Sequence, residues 1–275
     1  MPAMNGKLVE TRYQPTVVRS FGLTDAGRQR PANEDRLLIT DLSTAIGATR
    51  HEESGHLFLV ADGMGGHAGG EQASELAVAT IQQFMRDGLR WAFHPDAADM
   101  QRMVAAMQDS LRQADTRIMQ EQADAPELQG MGTTLTLALQ LDWRLGVLHV
   151  GDSRAYLYRD GSLRQITRDH TLTAGLVEQG ILTPEEAATH PMRNIITNAV
   201  GGSEAGIHVE SHCVDLLPGD RVLLCSDGLT DMVSDEQIAS ALGDFDDPEL
   251  ACRRLVDDAN EAGGRDNITA IVAAF

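Results

Sequence analysis

Ala155-Tyr156-Leu157-Tyr158-Arg159-Asp160-Gly161-Ser162-Leu163-Arg164-Gln165-Ile166 is the stretch whose reading decides the fold. Two strand-like segments flank Asp160-Gly161, and glycine tolerates the positive φ that a two-residue hairpin turn demands. A hairpin means antiparallel pairing. Upstream, Thr133–Leu141 and Arg144–Val150 are separated only by Asp142-Trp143, too short a break for anything but another tight turn. Further strand-like runs lie at Leu37–Thr40, Leu57–Ala61, Arg221–Ser226 and Asn267–Ala274. Two long helices are expected in the first half. In the second of them Met100, Met103, Met107, Leu111, Ala114 and Ile118 share one face at helical spacing, which reads as core packing. A further helix is expected over Pro248–Ala262. Helices in groups and strands in hairpins define an α+β class with an antiparallel sheet system.

The chain has 275 residues, of which 42% are hydrophobic and 23% charged, an ordinary balance for a globular protein with a real core. No segment approaches the run of about 18 apolar residues that a membrane helix needs. Met1–Ser20 mixes polar and apolar residues, so it is read as a loosely held extension rather than a secretory signal, with one continuous domain over 21–275. Cys213, Cys225 and Cys252 are odd in number and lack CxxC spacing, which points away from disulfides and zinc and towards a reducing cytoplasm. Net charge is −19, and no basic stripe offers the counter-charge that nucleic-acid binding needs. Asp244, Asp246 and Asp247 lie in a turn-like stretch and are given no functional role.

Several short segments share one trait: an Asp at a strand end or turn, beside Gly, Ser or Asn. They are Arg30-Pro31-Ala32-Asn33-Glu34-Asp35, Ala61-Asp62-Gly63-Met64-Gly65-Gly66, Gly151-Asp152-Ser153-Arg154, Ser226-Asp227-Gly228 and Arg265-Asp266-Asn267. Each could be an ordinary turn. Leu57–Ala61 and Leu223–Cys225, however, are apolar strands that run straight into Asp62 and Ser226-Asp227. A carboxylate at the end of a buried strand is costly unless a cation or strong donors face it. Strand ends of one sheet system can gather such carboxylates, and several together repel, so the pattern implies divalent metal. All-oxygen ligands suit Mg²⁺ or Mn²⁺. Gly63-Met64-Gly65-Gly66-His67-Ala68 also matches a GxGxxA dinucleotide fingerprint, but Asp62 would repel a pyrophosphate and hairpins do not suit a parallel βαβ sheet.

In order and spacing these segments, with Gly130-Met131-Gly132-Thr133-Thr134, resemble the PPM family of metal-dependent Ser/Thr protein phosphatases (the protein phosphatase 2C type) from about Phe21 to Phe275. The compact length resembles the bacterial members. The resemblance implies a four-layer α-β-β-α sandwich with two central antiparallel sheets and metals at one end. It implies two tight Mn²⁺ or Mg²⁺ ions bridged by Asp62, one also bound by the Gly63 carbonyl and the other by Asp227 and Asp266. Glu34 and Asp35 would hold metal-bound waters or touch a metal, and Asp152 with Asp227 matches a third, weaker site. Arg30 matches the arginine that grips substrate phosphate, and Arg30 and Asp35 are the expected catalytic side chains.

The expected reaction is attack of a metal-bridging hydroxide on phosphoserine or phosphothreonine. Two cations about 3.5–4 Å apart activate a water and stabilise both the attacking and the leaving oxygen. Cations also reverse the local field of an acidic protein that handles an anion. A planar guanidinium at Arg30 can bind two phosphate oxygens at once. One departure is Met64, where many eukaryotic members carry a histidine proposed as general acid; a metal-bound water is the expected substitute. His67 and His170 read as structural or surface residues. Residues 171–202 resemble the family's flap, in which Glu178, Glu185 and Glu186 could face basic peptide flanks but suit a solvated face better. Gly132-Thr133-Thr134 reads as strand entry and packing. Phosphoproteins, an opposing Ser/Thr kinase and a monomeric state are the expected partners and form, without nucleic acid or membrane. The alternative is a pseudophosphatase or metal-stabilised phosphoprotein-binding module.

Overall fold

Alternation within the apolar strands explains the layering. In β3 (Gly55–Ala61), Leu57, Leu59 and Ala61 pack beneath helices, while Phe58 and Val60 face the other way into a second sheet. The computed structural model describes residues 18–42, 55–65, 68–92, 100–203 and 205–275. One sheet has the order β10 (Glu210–Asp215), β7 (Arg144–Val150), β6 (Leu135–Leu141), β3, β2 (Arg36–Asp41). The other runs β1 (Arg19–Asp25), β12 (Ile268–Ala274), β11 (Arg221–Cys225), β8 (Arg154–Arg159), β9 (Ser162–Gln165). Every pairing in both is antiparallel. A strand buried on both faces has no polar face to show, hence the near-continuous apolar runs.

Helices α1 (Ala68–Ala92) and α2 (Met100–Asp124) cover the first sheet, with Ala73, Ala77, Ile81, Met107, Leu111 and Ile118 buried against β3 and β6. Helix α7 (Pro248–Glu261) covers the second through Ala251, Leu255 and Val256, against Leu223 of β11 and Ala270 and Val272 of β12. Between the sheets, Phe58, Val60, Ala138 and Val147 meet Leu157, Leu224, Ile271 and Ala273. The result is the four-layer α-β-β-α sandwich.

Both expected turns form. Asp142 and Asp160 each take φ 51°, and Gly161 follows at φ 80°, the left-handed pair that a twisted hairpin requires. Thr133–Leu141 is not one strand, as expected, but two. Gly132–Thr133 forms β5, pairing with β4 (Gly63–Met64), and β6 starts at Leu135. The break falls at Thr134, whose N–H and hydroxyl are both engaged by the backbone of Asp62. Strand β1 begins inside the segment read as an extension: Arg19 and Ser20 pair with Ala274 and Ala273. Residues 1–17 lie outside the described residues, as does His67. Strands β1 and β10 carry no apolar run that would announce them; β10 is an edge strand reading Glu-Ser-His-Cys-Val-Asp. The acids given no role have small structural ones: Asp247 caps α7, and Asp246 accepts from Arg221.

Candidate metal centre

Antiparallel pairing sets the start of one strand beside the end of its neighbour. Arg36, opening β2, pairs with Ala61, closing β3, so Asp35 and Asp62 meet. Val60 pairs with Thr136 and Leu135 with Val150, which brings the Gly151-Asp152 turn to the same end. In the facing sheet Cys225 pairs with Ala270, so Asp227 after β11 lies beside Asp266 before β12. Asp35, Asp62, Asp152, Asp227 and Asp266 thus gather at one end of the sandwich, near enough to feel one another's charge.

That crowding appears in their acidity. Burial, then the charges of Asp35, Asp227, Asp152 and Asp266, push Asp62 well above the usual carboxylate range. Burial and Asp152, Asp266, Asp231 and Asp35 do the same to Asp227. Burial raises Asp35 to about 6, against the pull of hydrogen bonds from Thr269 and Ser226, and raises Asp152 to about 7, with Asp169 adding to it. Asp62 and Asp227 keep a partly accessible face, so water still reaches them and tempers the effect.

The donor set fits a hard divalent cation. Asp35 uses Oδ2 to accept from Ser226 Oγ (2.8 Å) and Thr269 Oγ1 (2.6 Å), but its buried Oδ1 has no hydrogen-bond partner. Asp152 Oδ1 is likewise buried and unpartnered. Oxygens so placed, among like charges, are what Mg²⁺ or Mn²⁺ would satisfy. Among the described residues no three His, Cys, Asp or Glu side chains already close on one point. The carboxylates stand at the range of electrostatic coupling rather than that of a finished coordination sphere.

The supporting frame was not read from the sequence. Asp62 O accepts from Thr134 N and Thr133 Oγ1, both at 2.8 Å, and Asp62 N–H donates to Thr134 Oγ1 at 3.1 Å. Thr134 Oγ1 also meets Ser153 Oγ at 2.7 Å, tying the Asp62 turn to the Asp152 turn. Asn267 holds the 26–34 loop, accepting from Glu34 N–H (2.8 Å) and donating to Ala26 O and Ala32 O. The signal was present in the paired threonines and in the Asn after Asp266, but hydroxyls and amides also occur in plain turns.

Gly63 and Gly70 have no room for a side chain: a Cβ on Gly63 would strike Gly70 O, and one on Gly70 would strike Glu34 Oε2. Glu34 therefore lies against the Gly63 turn. Arg30 reaches the cluster rim, where its Nη2 donates to Asp266 Oδ2 at 2.6 Å. Arg154 forks onto Asp169, not Asp152. Asp152, Asp227 and Arg265, with Thr171, Thr173 and Arg193 of the 171–202 segment, line an open cleft of about 600 Å³. Two acids of that segment are used locally: Glu178 pairs with Arg168, and Glu186 caps its own helix.

The sequence profile of protein phosphatase 2C matches residues 41–258. The chain belongs to the protein phosphatase 2C family. It is 41% identical over 259 residues to the serine/threonine protein phosphatase PstP of Mycobacterium tuberculosis, covering 94% of this chain but 45% of PstP, so it spans about half that relative's length. It is 32% identical over 249 residues to the serine/threonine phosphatase stp of Listeria monocytogenes, covering 90% of this chain and 92% of stp. Among solved structures, the catalytic domain of PstP in complex with two manganese ions superposes with a TM-score of 0.75 at 38% identity, covering 94% of this chain and 97% of that one. The fold is that of metal-dependent serine/threonine protein phosphatases, and the all-oxygen cluster lies in this phosphatase-type domain. No helix among the described residues is long and apolar enough to cross a membrane.

Proposed function

We propose that this chain hydrolyses phosphoserine and phosphothreonine monoesters on proteins, using two tightly held Mn²⁺ or Mg²⁺ ions. The observation that carries the reading is Asp62 at the centre of four other carboxylates, two of which keep a buried oxygen with no partner. Asp62 would bridge the ions, with the Gly63 carbonyl on one and Asp227 and Asp266 on the other. Glu34 and Asp35 would act from beside them, and Asp152 with Asp227 would hold a third ion loosely. When bound, the cations supply Lewis acidity at the phosphoryl group and a nucleophilic water at neutral pH.

The protein's own residues do the rest. Ser226 and Thr269 fix the Asp35 carboxylate through Oδ2 and leave Oδ1 for the site. Thr133 and Thr134 hold the Asp62 backbone so that its side chain projects from a rigid turn. Arg30 swings between Asp266 and the substrate phosphate, its planar fork able to hold two phosphate oxygens. The Met64 thioether has no proton to give the leaving oxygen, so solvent in the open cleft provides it. Substrates would be phosphoproteins modified by an opposing Ser/Thr kinase, and the chain would act as a monomer in the cytoplasm.

The test is turnover of p-nitrophenyl phosphate and a phosphothreonine peptide with Mn²⁺, Mg²⁺, Zn²⁺ and EDTA. Activity with Mn²⁺ or Mg²⁺ and none in EDTA is the expected result. Full activity in chelator, or activity with Zn²⁺ alone, overturns it. Metal binding without release of phosphate from either substrate would favour the pseudophosphatase.

A further inference from the structure

His170 is a buried titratable residue that the chemistry above does not use, and it joins the Asp152 turn to the 197–198 segment and to edge strand β10. Its ring and backbone clasp Gly151 from both sides. Gly151 N–H donates to His170 Nδ1 at 3.1 Å, and His170 N–H donates to Gly151 O at 2.7 Å. The His170 carbonyl accepts from Thr197 N–H (2.8 Å) and Thr197 Oγ1 (3.0 Å), closing the base of the 171–202 flap. Nε2 lies 3.2 Å from Glu210 Oε2 on edge strand β10. Asn198 Nδ2 approaches Nδ1 at 2.9 Å while donating to His208 O.

These contacts define one protonation state. Nδ1 accepts from an amide, so the proton sits on Nε2 and points to Glu210. Glu210 is well suited to receive it. Burial works against its charge, but hydrogen bonds from His170 and His212 hold its carboxyl at about 2. Glu210 Oε1 also accepts from Arg168 N–H and meets His212 Nε2. On the other face, the His149 ring lies with its centroid at 4.8 Å, tilted by 37°, and its Nε2 reaches Arg168 O. Gly151 itself has no slack: it takes φ 114°, and a Cβ there would strike the Thr134 side chain. A turn pressed on one side by Thr134 and clasped on the other by His170 has its direction set.

We propose that His170 is a positioning residue: through Nδ1 it sets the Gly151-Asp152 turn against the base of the flap, and so places Asp152 for its loosely held cation. With the phosphatase reading above as premise, its loss should raise the Mn²⁺ requirement and leave the tight pair alone.

The discriminating variants are His170→Asn and His170→Leu. Asparagine keeps an acceptor close to the place of Nδ1; leucine fills the space and accepts nothing. Hydrogen exchange over residues 150–153 and the Mn²⁺ concentration for half-maximal turnover of p-nitrophenyl phosphate are the readouts, with tight-ion binding followed by calorimetry. His170→Leu should speed exchange in that segment and raise the Mn²⁺ requirement about tenfold or more, with His170→Asn recovering most of both. Equal impairment in the two variants, or loss of the tight ions in either, overturns the proposal. Should His170→Leu fail to fold, Glu210→Ala frees Nε2 with the ring in place; exchange over residues 150–153 unchanged in that variant overturns it as well. If the wild type hydrolyses nothing with Mn²⁺, the phosphatase reading falls, and the exchange comparison still decides whether His170 holds the turn.

Discussion

Two buried polar clusters lie on either side of the Gly151-Asp152 turn, and they are built on opposite rules. On one side Asp35, Asp62, Asp152 and Asp227 are gathered with like charge and unpartnered oxygens, each pushed up in pKa mainly by burial. On the other, the polar groups are matched: His149 meets Arg168 O and Thr136 Oγ1, His170 meets Gly151 N–H and Glu210, and Glu210 meets His212 as well. The first carries a repulsion that positive charge from outside the chain would relieve. The second is complete and serves as scaffold. A polar cluster inside a protein is thus read by its leftover valence: saturated networks hold shape, and unsaturated ones await a ligand.

The comparison breaks hardest at Asp62. Asp62→Asn removes the most crowded charge, so turnover should fall by more than the roughly hundredfold loss of a supporting partner. The same change relieves repulsion, so in EDTA the variant should melt higher than the wild type, while Mn²⁺ should no longer raise its melting temperature. A variant that melts lower in EDTA would mean that the carboxylates do not burden the fold.

Thr134→Val tests the frame between the clusters. It leaves the Asp62 N–H without its acceptor and cuts the link to Ser153, a cost of about 1–3 kcal/mol in urea unfolding. Thr134→Ser should restore most of it, and a fully stable valine variant would remove Thr134 from this role.

Acid pulls the clusters in opposite directions. Burial, with the neighbouring His170 adding to it, lowers His149 from 6.5 to about 4. Its contribution to stability is present above pH 6.5 and lost as pH falls through about 4, because the unfolded chain takes up the proton first. Asp152 is raised from 3.8 to about 7, so its contribution is full below pH 3.8 and lost as pH rises through about 7. In EDTA, Asp152→Asn should therefore gain most over the wild type near pH 8, with the gap closing towards pH 4. His149→Gln should flatten the loss between pH 6.5 and 4. Thermal scans across that range check both signs.

The smallest structural effect is expected at Arg30. Its bond to Asp266 joins two partly exposed side chains, worth under about 1 kcal/mol to stability. Arg30→Ala should raise KM for a phosphothreonine peptide while calorimetry still finds tight metal. Loss of tight metal would show that Arg30 acts by orienting Asp266.

Much of the fold was legible because its signals are local. The Asp160-Gly161 and Asp142-Trp143 turns, the apolar strands and the methionine face of α2 each follow from a few neighbouring residues. Strands β1 and β10 were not legible, since an edge or sparsely covered strand needs no apolar run. The split at Thr134 was hidden for another reason: a threonine in a β-rich run looks like strand until a partner some seventy residues away claims its hydroxyl.

From sequence alone came the class, the apolar central strands, and the set of acids stationed at strand ends, because periodicity, turn chemistry and the cost of burying charge act within a few residues. Tertiary structure alone decided which acids share a wall, that Arg30 rests on Asp266, and that His170 grips the Asp152 turn. Those facts depend on strand register and on hydrogen bonds between segments far apart in the chain, and no local pattern encodes which distant donor will meet which acceptor.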